Sequence, residues 1–79
     1  MTLKENLNVS ETGFLFDPST GNSFTVNPSG LLIIQLLKEN KSRKDLLALL
    51  SEKYDSQMGV VERDLNDFLT LLRRFKLLA

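Results

Sequence analysis

The sequence has neither cysteine nor histidine among its 79 residues. Thiol nucleophiles, disulfides, imidazole acid–base pairs and Cys/His zinc sites are therefore excluded. No glycine-rich loop that could cradle a phosphate is present. Neither sign of charge is in surplus, because ten Lys/Arg cancel ten Asp/Glu. That balance argues against strong nonspecific nucleic-acid binding, which needs excess positive charge. No apolar run approaches the roughly 20 residues of a membrane-spanning helix. The opening Met1-Thr2-Leu3-Lys4-Glu5-Asn6 has no hydrophobic signal region. Asp64 and Asp67 lie one helical turn apart, but such a pair without further oxygen ligands is a poor metal site. These absences predict a non-catalytic chain with no metal or organic cofactor, working in the cytoplasm without membrane contact.

What is present suits one small domain spanning residues 1–79. Hydrophobic residues make up 42% of the chain, enough for a single core. The first third has strand and turn chemistry. Leu7 and Val9 alternate with Asn8 and Ser10, a weak strand signal within the polar, poorly patterned residues 1–10. Glu11-Thr12-Gly13 reads as a turn, and Phe14-Leu15-Phe16 as a short strand. Asp17-Pro18-Ser19-Thr20-Gly21-Asn22 is a strong turn signal. Proline presets φ, aspartate bonds nearby backbone and glycine accepts a positive φ. Ser23-Phe24-Thr25-Val26 then alternates again. The expected hairpin has Phe14 and Phe16 on one face, near Phe24 and Val26, with these phenylalanines in the core.

The remainder reads helical. Asn27 is a candidate cap and Pro28 suits a first turn. Leu31, Leu32, Ile33, Ile34, Leu36 and Leu37 then cover almost every side, so this helix should be central. Gly30 would permit close backbone approach. Glu39-Asn40-Lys41 is a polar break, and Ser42 with Asp45 can cap a second helix. Leu46, Leu47, Leu49, Leu50 and Tyr54 supply its one broad face, and Asp55-Ser56-Gln57 breaks it. A third helix is predicted from about residue 58 to 75. Its stripe is Val61, Leu65, Phe68, Leu72 and Phe75. The fold class is α+β: an antiparallel hairpin or three-stranded sheet, then three helices, arranged like a winged helix-turn-helix with its strands moved to the front.

The order of motifs resembles the PqqD family. The residues that carry the likeness are Asn27-Pro28 with Gly30, the buried helix over residues 31–37, Tyr54-Asp55, and Glu62-Arg63-Asp64. The likeness covers roughly residues 14–78 and is to the short, free-standing members. It implies a module that binds the leader of a ribosomally made precursor peptide. The module would present that leader to a modifying enzyme, often a radical SAM enzyme. It further implies that the leader adds as a strand to the third strand and rests against the third helix.

The residues suit that task. If the strands run in order, residues 23–26 form an open edge, with backbone groups ready for another strand. Phe24 and Val26 would turn inward, and Ser23 and Thr25 the other way. At 100° per residue, Val60, Asp64, Asp67, Leu71 and Arg74 line a shoulder beside the core stripe of the third helix. The plainer alternative is that Val60 and Leu71 widen the core face. Arg63 lies on the flank of the same helix. Glu62 near the helix start needs no ligand to be favourable there. The candidate peptide-binding residues are thus Ser23, Phe24, Thr25, Val26, Val60, Arg63, Asp64, Asp67, Leu71 and Arg74.

Two rival readings accompany this one. A winged-helix nucleic-acid binder would use Lys41, Arg43 and Lys44, or Arg73, Arg74 and Lys76. Against it, Glu62, Asp64 and Asp67 would meet the phosphates. A structural homodimerisation domain would pair through the same edge or the last helix. The expected state is a monomer or weak homodimer.

Overall fold

The computed structural model describes residues 2–54 and 57–78. Three strands, β1 (Asn8–Val9), β2 (Phe14–Asp17) and β3 (Asn22–Thr25), precede α1 (Pro28–Lys38), α2 (Arg43–Tyr54) and α3 (Met58–Arg74). The sheet is antiparallel, in the order β1-β2-β3, so one edge of β3 is open. The expected α+β architecture is the one observed, with a very short β1. Among the described residues no helix is long and apolar enough to cross a membrane.

The phase of the hairpin differs from the sequence expectation. Val9, Leu15 and Phe24 form one cross-strand row, and Asn8, Phe16 and Ser23 form the next. The first row faces the core. Leu15 is fully buried, with Val9 and Phe24 packed against the same cluster. Phe14 and Phe16 therefore lie on the opposite face from Phe24. Phe14 is exposed and Phe16 is only partly covered. Side chains alternate along a strand, so burying Leu15 also buries Asp17. That carboxylate is accommodated by Lys4, whose Nζ lies 2.7 Å away.

The turns and caps follow the local chemistry. Gly13 adopts φ 90°, and its carbonyl accepts from the Val26 amide at 2.9 Å. Asp17 Oδ1 accepts from the Ser19 amide and hydroxyl, fixing the β2–β3 turn. Asn27 caps α1 by accepting from the Gly30 amide at 2.8 Å, with Pro28 in the first turn. At the start of α2, Ser42 and Asp45 bond reciprocally, a capping box with aspartate in the acidic position. The break expected at Asp55-Ser56-Gln57 lies outside the described residues except for Gln57, which precedes α3 in an extended conformation.

Helix α1 is central, with Ile33, Ile34, Leu36 and Leu37 buried. The face of α2 is narrower than predicted. Leu46 and Leu50 are buried, but Leu49 and Tyr54 are exposed. The stripe of α3 also needs correction: Val61, Leu65, Leu69 and Leu72 are buried, and Phe68 is half-buried. Phe75 leaves the stripe because the helix ends there. Lys76 takes φ 60° and donates to the Arg73 carbonyl, while the Leu77 amide donates to Leu72. This Schellman turn tucks Leu77 and Leu78 into the core. Leu78 then bridges to Leu3, and the Lys4 amide donates to the Leu77 carbonyl. The released Phe75 ring packs on Phe24, with centroids 5.0 Å apart and planes at 54°.

Candidate functional site

The open edge of β3 has a defined hydrogen-bonding phase. In an antiparallel pair, hydrogen-bonded and non-hydrogen-bonded residue pairs alternate. The Val26 amide donates to Gly13, so the next hydrogen-bonded pair is Leu15 with Phe24. Phe14–Thr25 and Phe16–Ser23 fall between them as non-hydrogen-bonded pairs. The Ser10 amide accordingly donates to the Phe14 carbonyl on the opposite side of β2. Ser23 and Thr25 thus direct their backbone N–H and C=O groups away from β2, toward the open edge. Their side chains are exposed, while Phe24 and Val26 pack inward, as expected.

The edge runs beside α3, in the opposite direction. Phe24 meets Phe75 near the end of the helix. About two turns upstream, Phe68 meets the start of α1. There a Cβ on Gly30 would come within 3.1 Å of both Phe68 Cε1 and Val26 Cβ. The absence of a side chain at Gly30 lets α1 approach α3 and the end of β3 closely.

A cavity of about 570 Å³ opens where the start of α1 meets α2 and α3. That lies within the roughly 300–1,000 Å³ typical of ligand sites. Asn27, Ser29, Gly30 and Ile33 of the α1 start form one wall, and Leu50 and Tyr54 of α2 another. Helix α3 supplies Val61, Asp64, Leu65, Asp67, Phe68 and Leu71. The surface is mostly apolar, with the two carboxylates on its α3 rim.

The predicted site residues separate into groups. Asp64, Asp67 and Leu71 line the cavity together. Ser23, Phe24, Thr25 and Val26 form the neighbouring edge. Val60, Arg63 and Arg74 are exposed and do not line the cavity. The Arg63 guanidinium lies 3.7 Å from Asp64. The sequence reading gives Asn27 as a cap, Gly30 as a point of close backbone approach, and Ile33, Leu50 and Phe68 as core, none of them as cavity walls. Tyr54 carried a signal that pointed here, a bulky residue closing α2, but it was assigned to the core face.

Arg73, Arg74 and Lys76 gather at the far end of α3. Glu62, Asp64 and Asp67 stand exposed along its first ten residues, where a nucleic-acid-reading helix would meet phosphates. Among the described residues no group of three or more acidic side chains is placed to hold a metal ion.

Comparisons with known proteins bear on the fold and the family. No curated protein matches the chain. One solved structure, described as TbiB1 in complex with the TbiA(beta) leader peptide, superimposes with a TM-score of 0.91. The two chains are 28% identical, over 99% of this chain and 94% of that one. The sequence model of the family described as coenzyme PQQ synthesis protein D (PqqD) matches residues 12–78, spanning the hairpin, all three helices and the cavity. The chain belongs to the PqqD family.

Proposed function

We propose that this chain is a non-catalytic peptide-binding module. It recognises the leader of a ribosomally synthesised precursor peptide and presents it to a modifying enzyme, such as a radical SAM enzyme. The observation that carries the reading is the open β3 edge beside an apolar cavity, in the fold of a chain solved with a leader peptide.

The leader pairs with the outward N–H and C=O groups of Ser23 and Thr25 as a fourth strand. Backbone hydrogen bonds of about 1 kcal/mol net each hold it without choosing its sequence. Choice comes from side chains that enter the cavity over Phe68 and Leu71. A peptide that orders on binding loses conformational entropy, so Kd is on the order of 1 μM.

The test is an amide chemical-shift titration with the cognate leader, once its precursor is identified. Shifts are expected along residues 22–26 and on the Asp64, Asp67 and Leu71 face of α3. Shifts confined to residues 41–50, with β3 and α3 silent, would refute the reading.

A further inference from the structure

The cavity has one electrostatic sign. Its lining includes two carboxylates, Asp64 and Asp67, and no basic side chain. Being three residues apart on α3, they share one face of the helix. Asp64 has a solvent-exposed contact with Arg63 at 3.7 Å, and Asp67 has no ion pair among the described residues. On the nearest wall, Asn27 Oδ1 already accepts from the Gly30 amide and the Ser29 hydroxyl. Below the carboxylates lies an apolar floor that includes Ile33, Leu65, Phe68 and Leu71.

Resting on the leader-binding reading, we infer that the accepted peptide carries a lysine or arginine in this cavity. Its methylene stem lies on Phe68 and Leu71, and its charged end reaches Asp64 and Asp67. Both carboxylates are solvated in the free protein. A peptide laid across the cavity removes part of that water. An apolar peptide would leave the carboxylates desolvated and unpaired, and an acidic one would add like-charge repulsion. A basic side chain with a long apolar stem satisfies floor and rim together.

The experiment selects ligands from a random-peptide display library on the intact protein. Several enriched peptides are then synthesised and their sites mapped by amide shifts. Peptides that map to β3 and α3 are expected to carry Lys or Arg beside an apolar residue. Replacing that basic residue by Gln should weaken binding about tenfold. Against the Asp64→Asn/Asp67→Asn protein most of that difference should vanish. The amide spectrum of this double variant checks its fold, which two exposed isosteric changes should leave intact. Peptides that map to β3 and α3 without a basic preference would overturn the inference and leave the leader-binding reading standing. So would a Gln penalty unchanged in the double variant. Selected peptides that all map elsewhere would overturn both.

Discussion

Lys4 Nζ lies 2.7 Å from Asp17 Oδ2, joining the chain's opening segment to a carboxylate that is only 2% exposed at the end of β2. The Lys4 hydrogen bond and those from Ser19 hold the Asp17 pKa below its ordinary 3.8, at about 2, against the opposing effect of burial. The folded value lies below the unfolded one. Asp17 therefore stabilises the native state above about pH 3.8, and that contribution is lost as pH falls toward about 2. A carboxyl-carbon NMR titration should give a midpoint near 2. Lys4→Met removes the largest lowering cause and should move the midpoint up. A wild-type midpoint at or above 3.8 would contradict the buried pair.

Gly13 and Gly21 both take positive φ, at 90° and 77°, but in different surroundings. A Cβ on Gly13 would sit 2.5 Å from the Val26 carbonyl oxygen, whereas one on Gly21 meets nothing within 4 Å. Gly21→Ala should cost only the backbone strain, about 1 kcal/mol. Gly13→Ala should cost about 1–3 kcal/mol more, because a backbone atom must move. Urea denaturation of the two variants compares them directly. Equal losses would mean that the β1–β2 turn is not held against Val26 as described.

The corrected phase of α3 makes a second stability prediction. Leu65→Ala and Leu69→Ala should each cost about 2–5 kcal/mol, since both side chains are buried. Leu71→Ala and Arg74→Ala should stay within about 0.5 kcal/mol, as exposed positions. Denaturant melts showing Leu71 as costly and Leu69 as neutral would shift the helix by half a turn.

These outcomes bear on what the sequence made legible. Caps and turns were readable because their chemistry is local: Asn27 with Pro28, Ser42 with Asp45, Asp17 with Ser19. The phase of β2 was not. Phe14-Leu15-Phe16 is apolar at three successive positions, so alternation could not choose a face. The phase with Phe14 and Phe16 inward would leave Asp17 in water. The phase adopted is tolerable because Lys4, 13 residues away, supplies the counter-charge. The regular spacing of Val61, Leu65, Phe68, Leu72 and Phe75 passes over Leu69, and it extends the stripe to Phe75, one residue beyond the helix end at Arg74. Helical phase groups Asp64, Asp67 and Leu71 on one shoulder of α3, and these three line the cavity, whereas Val60 and Arg74 of the same shoulder do not. The cavity walls from α1 and α2 were not legible, because tertiary packing brings Ile33, Leu50 and Tyr54 to it.

The final prediction separates the edge of β3 from its ladder. The Thr25 N–H points to the open side, and the Phe24 N–H points into the Leu15 pair. Proline removes a donor and leaves a fold intact only where that donor has no internal partner. Thr25→Pro should therefore keep a native amide spectrum while weakening the peptide selected from the display library about five- to tenfold, the loss of one backbone hydrogen bond. Phe24→Pro should instead disrupt the β2–β3 ladder and lower stability in a denaturant melt. Leu71→Asp is the matching test on the helix side, because that side chain is 42% exposed. It should weaken the same peptide without unfolding the protein, by removing apolar surface on which the peptide's side-chain stem rests. If Thr25→Pro unfolds the protein and Phe24→Pro does not, the outward groups belong to Phe24 and the docking edge is reversed. If Thr25→Pro folds and binds the peptide as tightly as the parent chain, the peptide does not add to β3 as a strand.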